Sequence, residues 1–137
     1  MRSRSLKLIS LLPALALSAF VLSATGALAA GLEQQTSQAN SVSISVKPVD
    51  ISAATWQFEV ALNTHGGSLD DDLAKTATLL AAGKQYPAAG WDGSAAGGHH
   101  RKGVLSFKAV SPPPDAIELR IVRQGETVPR TFSWKLK

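Results

Sequence analysis

Two adjacent histidines, His99 and His100, follow a run of glycine and alanine and lead into an apolar alternating stretch. The chain has three histidines in all, and the third is His65. Imidazole is the commonest protein ligand for transition metals, and a carboxylate adds an oxygen donor. A set of His65, His99, His100 and Asp70 would therefore suit zinc, copper(II) or nickel better than calcium. The spacing alone does not define such a site. Adjacent histidines in an extended chain point to opposite faces, so only a kinked loop would turn both toward one ion. Two other readings remain open: the rings order the loop by hydrogen bonding to carbonyls and carboxylates, or they stand free in solvent. Trp91 and Arg101 flank the pair and are candidates for a binding face beside it.

Other chemistries lack their residues. There is no cysteine nucleophile. No Gly-x-Ser-x-Gly elbow occurs, and Ser68 and Ser94 lie in soft loops. The run Asp70-Asp71-Asp72 lacks the alternating acids and distant glutamate of a calcium loop. No two carboxylates are placed by a rigid element for glycoside hydrolysis. Gly97-Gly98 precedes histidine and a strand, not the helix a phosphate loop requires. The expectation is a protein that is not an enzyme.

The elements that would position these residues read as strands. Val42, Ile44 and Val46 alternate with serines, a period of two that ends at Pro48. Trp56, Phe58, Val60 and Leu62 form the clearest inward set. Leu105 and Phe107, then Ile117, Leu119 and Ile121, then Phe132, Trp134 and Leu136 repeat the pattern. The stretch 73–82 mixes helix formers with Thr76 and Thr78. It reads as a strand over 75–81 that turns at Gly83-Lys84 into Tyr86, with a short helix as the alternative. The whole predicts an all-β, immunoglobulin-like antiparallel sandwich of about seven strands. Counting strand directions, with 73–82 as a strand, places His65, His99, His100, the three aspartates, Asp92 and Arg101 at one end.

The segments before the sandwich read differently. Arg2, Arg4 and Lys7 precede an apolar run, Leu8 to Leu22, and Ala27-Leu28-Ala29 supplies small residues for a signal peptidase. Residues 1–29 are thus expected to be a cleaved signal peptide directing the chain to the periplasm or outside, with no membrane span in the mature form. Residues 30–40 are polar and aperiodic and read as a flexible tail; 41–137 is the folded domain. Of 14 Lys+Arg, three lie in the leader, leaving 11 against 10 Asp+Glu and a mature charge of +1. Such a balance gives no basic footprint for nucleic acid. A mature domain without cysteine must rest on packing. The partner is then a metal ion or another protein, and a purely structural or protein-interaction module of the cell envelope is the alternative to metal binding.

Thr64-His65, Asp72-Leu73, Trp91-x-Gly93 and Gly97-Gly98-His99-His100-Arg101-x-Gly103-Val104-Leu105-x-Phe107 together resemble a pattern shared by an uncharacterised family of small exported bacterial β-sandwich proteins. The resemblance spans about residues 40 to 136. It implies a sandwich fold and export, and it carries over no activity and no ligand role.

Overall fold

The computed structural model describes residues 32–137; the expected signal peptide lies outside the described residues. Nine strands and one helical turn follow in order: β1 Gln35–Ala39, β2 Val42–Asp50, β3 Thr55–Thr64, α1 Leu73–Thr76, β4 Ala77–Ala81, β5 Lys84–Pro87, β6 Gly90–Gly93, β7 His100–Lys108, β8 Ala116–Ile121 and β9 Arg130–Lys135. A five-stranded antiparallel sheet in the order β1-β2-β3-β7-β6 packs on a four-stranded one in the order β5-β4-β8-β9. This is the β-sandwich that the alternation predicts, with more strands than the expected seven.

The inward residues make one core. Val42, Ile44 and Val46 of β2 and Trp56, Phe58, Val60 and Leu62 of β3 face Leu79 of β4, Ile117, Leu119 and Ile121 of β8, and Phe132 and Trp134 of β9. Phe58 is the hub: its ring meets Phe107 edge-on with centroids 5.7 Å apart, and Trp134 at 5.8 Å. Full burial of each such side chain contributes about 1.5–3 kcal/mol, so the aromatic trio anchors the two layers together.

Three expectations are corrected. Residues 30–40 are not a tail throughout: Gln35–Ala39 forms β1, paired with β2 from Gln35↔Val46 to Ala39↔Val42. The strand at Val42 does not end at Pro48. It continues to Asp50, with a register shift between Pro48 and Asp50. Proline is tolerated there because β1 does not extend past the Gln35↔Val46 pair, so β2 is an edge at Pro48. The stretch 73–82 satisfies both readings in turn: Leu73–Thr76 is one turn of helix, and Ala77–Ala81 is a strand. Trp91 lies in the four-residue β6 at the sheet edge.

The β4–β5 hairpin turns on Ala82 and Gly83, with φ of 50° and 76°. Two successive left-handed residues make the type I′ turn that matches the twist of paired strands. Glycine adopts this conformation without strain, whereas alanine does not. Ala82→Asn is expected to raise stability by a few tenths of a kcal/mol, and Gly83→Ala to lower it by about 1 kcal/mol. Urea unfolding midpoints at constant slope check both.

Candidate functional site: the histidine loop end

Strand directions hold as counted. Thr64, the end of β3, lies beside His99, with its N–H 2.9 Å from the His99 carbonyl, and Asn63 pairs with His100. The loop 65–72 and the loop 94–99 therefore meet at one end of the sandwich. A backbone clasp joins them: Leu69 N–H donates to Gly98 O at 3.0 Å, and Gly97 N–H to Leu69 O at 2.8 Å. The Leu69 side chain drops into the core and is fully buried, as is Leu73.

Beneath the clasp lies Arg101. It occupies the inward register of β7, in phase with Leu105 and Phe107, and is 4% exposed. Its Nη1 donates to Asp71 O at 2.6 Å and to Leu69 O at 3.2 Å, and its Nη2 to Ser94 O at 3.3 Å. The guanidinium thus gathers carbonyls from both loops. Its carbon lies 5.6 Å from the centroid of the Trp91 ring, a cation–π contact. Trp91 is held in turn by its indole N–H, which donates to Ser94 O at 3.0 Å.

The indole needs room against the strands, and two glycines provide it. Gly93 and Gly103 are register partners in β6 and β7. A Cβ on Gly93 would stand 2.5 Å from the Gly103 Cα and 2.9 Å from Trp91 Cζ2. A Cβ on Gly103 would stand 2.6 Å from the Gly93 Cα and 2.8 Å from the same ring atom. Close approach of the two backbones, not turn geometry, demands glycine here.

A second buried arginine lies at the same end. Arg130 begins β9 in the register of Phe132 and Trp134 and is 4% exposed. Glu126 takes its Nε at 2.8 Å and its Nη2 at 2.8 Å, a two-point pair. Its remaining donors reach Ser37 O, Val42 O and Ala39 O in the β1–β2 hairpin. Arg123 extends the network, with its Nη1 3.2 Å from Glu126 Oε1 and its Nε 3.1 Å from Asp71 Oδ2. Hydrogen bonds from Arg130, with its charge and help from Asn40 and Arg123, hold the Glu126 carboxyl below its ordinary 4.5 despite burial.

The expected site residues fare unequally. His65, His99 and His100 are all exposed at this end. His100 Nδ1 lies 2.7 Å from Asn63 Oδ1, a bond that requires a proton on that nitrogen. Asp70 Oδ1 accepts from Ser68 Oγ at 2.7 Å. No group of three or more His, Cys, Asp or Glu side chains among the described residues is placed to hold a metal ion. Of the four, His100 and Asp70 are engaged locally, with Asn63 and Ser68. Trp91 is half-buried over Arg101, and Arg101, expected on a binding face, is interior. A small polar depression of about 130 Å³, lined by Ser68, Asp70, Asp71, Arg123 and Gln124, opens at this end. A larger groove of about 490 Å³ lies at the other, between Tyr86 and the Pro112–Pro114 loop.

Asp71, Arg123, Glu126 and Arg130 form a connected set, and no motif or spacing in the chain announces the connection. A signal for two of the arginines exists: each is a cation in phase with the apolar set of its strand, at Arg101-x-Gly-x-Leu and Arg130-x-Phe-x-Trp. Such a position must be paired to be buried.

Fold and site define an antiparallel β-sandwich whose loop end is tied by two buried guanidinium groups. No family model and no curated protein matches the chain. Among solved structures, the secreted protein MPT63 of Mycobacterium tuberculosis is similar, with a TM-score of 0.46 and 16% identity over 75% of this chain and 92% of that chain. No helix among the described residues is long and apolar enough to cross a membrane.

Two outcomes are expected. Arg101→Ala leaves the Asp71 carbonyl without its donor and takes one of two from Leu69 O, and it is expected to cost about 3 kcal/mol. Arg101→Lys should recover less than half, since a single ammonium lacks the fork that spans several carbonyls. Chemical unfolding gives the cost, and near-ultraviolet circular dichroism reports the Trp91 environment. Because Glu126 has a depressed folded pKa, its stabilisation is present above its unfolded value and is lost as pH falls through the folded one. Glu126→Gln is therefore expected to cost about 2 kcal/mol at pH 7 and progressively less as the pH falls below the ordinary glutamate range, in paired urea titrations.

Proposed function

We propose that the chain is an exported, non-enzymatic β-sandwich module that presents a rigid, histidine-bearing loop end to a protein partner in the cell envelope. The observation that carries this reading is the buried Arg101. A guanidinium that collects Asp71 O, Leu69 O and Ser94 O fixes the shape of two loops before any partner arrives. Loops ordered in advance lose little conformational entropy on binding. The three imidazoles stand exposed above that frame. Export rests on the leader pattern: a basic start, the apolar run and Ala27-Leu28-Ala29.

The chemistry of the end favours recognition over catalysis. The buried charged groups are spent on each other and on backbone carbonyls. The hydrogen-bond partner of the exposed His100 is the Asn63 amide, which is neither a base nor a nucleophile. A shared transition-metal site at His65, His99, His100 and Asp70 is the competing reading. It would require His100 and Asp70 to leave their side-chain bonds to Asn63 and Ser68.

One experiment separates the two. Thermal unfolding is followed with zinc, copper(II) and nickel, for the native chain and for a His65→Ser/His99→Ser/His100→Ser variant. The recognition reading expects no midpoint change with metal in either protein. It also expects the variant to keep its stability while losing crosslinks to envelope proteins in the producing cell. A rise of several degrees with about 0.1 mM metal, absent in the variant, would establish the metal site instead.

A further inference from the structure

We infer that β1 is an exchangeable strap, and that two copies of this chain can trade it to form a strand-swapped dimer. The strap pairs with β2 from Gln35↔Val46 to Ala39↔Val42, and its other face is read by groups of the second sheet. Its inward side chains, Gln35, Ser37 and Ala39, do not enter the core. They face the free edge of β9, the outermost strand of the other sheet. The Gln35 side-chain amide imitates a strand residue there: its Nε2 donates to Ser133 O, and its Oε1 accepts Ser133 N–H at 2.8 Å. Arg130 reads the carbonyls of Ser37 and Ala39, and the Trp134 indole N–H reads that of Glu33 at 2.7 Å. The rest of the molecule is thus a preformed acceptor for this one extended segment, which a second copy carries as well.

The hinge supplies the reason to exchange. β1 and β2 are joined by Asn40 and Ser41 alone, with φ of 49° and 62°. A two-residue turn of this kind is best served by glycine at its second position, and serine is strained there. Opening the turn relieves that strain and merges β1 and β2 into one continuous strand. Every β1 contact can then be remade on the other copy. Short hinges under strain are the recognised setting for such swaps, and exchange of identical elements makes a closed twofold dimer.

The chain has no cysteine, which makes a direct test available. Thr36 and Ser45 are register partners on the outer face, with hydroxyl oxygens 3.0 Å apart. In a Thr36→Cys/Ser45→Cys protein, a docked strap closes a disulfide within one chain, and a traded strap closes it between two. Refolding over a range of concentrations, followed by oxidation and non-reducing electrophoresis, reads the ratio. The covalent dimer is expected to rise with concentration and to fall roughly tenfold when Ser41→Gly relieves the hinge. Crosslinking wholly within one chain up to about millimolar refolding concentration would overturn the inference, as would a dimer yield indifferent to Ser41→Gly. If the cysteine pair impairs folding, light scattering on the unsubstituted chain and on Ser41→Gly gives the same two answers.

Discussion

The loop end depends on a shortage of donors. Where the chain turns at the top of the sandwich, carbonyls of Leu69, Asp71, Ser94, Ser37, Ala39 and Val42 point at two arginine side chains. A buried carbonyl left without a donor costs free energy on the scale of a lost hydrogen bond. Arg101 and Arg130 meet this need from below. Each side chain carries five N–H donors on a planar fork and can serve several carbonyls at once. The two guanidinium groups are supported differently. Glu126 balances Arg130 directly, while Arg101 has backbone oxygens and the face of Trp91 in place of a carboxylate.

These arginines also divide the molecule's stability into two kinds. The layer of Phe58, Phe107 and Trp134 is held by burial of apolar surface, which is non-directional and indifferent to pH. The end above it is held by directed, charge-assisted bonds among Asp71, Arg123, Glu126 and Arg130. Their buried pairs are not screened by salt as surface pairs are. By contrast, Lys102–Glu59 and Lys75–Asp72 lie in solvent and contribute little.

What the sequence reveals, and what it conceals, follows the same division. The strands at Val42, Trp56, Leu105, Ile117 and Phe132 are legible because one face of each meets apolar core. β1 is not, because its inward positions, Gln35, Ser37 and Ala39, meet a strand edge that asks for hydrogen bonds instead of oil. Its alternation is real but written in polar residues. β6 is too short and too rich in glycine to show a period at all. The gathering of the histidines at one end is legible by counting strand directions. That count succeeds although Leu73–Thr76 is helical, since one turn of helix leaves β4 its direction. The buried network is hidden for a different reason. Asp71 comes from one loop and Arg123 and Glu126 from another, and no local pattern distinguishes an acid that meets an arginine from one that meets water.

The close pairing of Gly93 with Gly103 has a consequence for how this protein can change over time. Neither position can accept a side chain while the other strand and the Trp91 ring hold their places. A substitution at one glycine removes the reason for the second, and loss of the indole uncovers the arginine beneath both. The three residues form a single heritable character spread over thirteen positions of chain, from 91 to 103. Stepwise drift through any one of them passes through a misfitted intermediate, so the edge of this sheet is open to replacement as a set and closed to gradual revision.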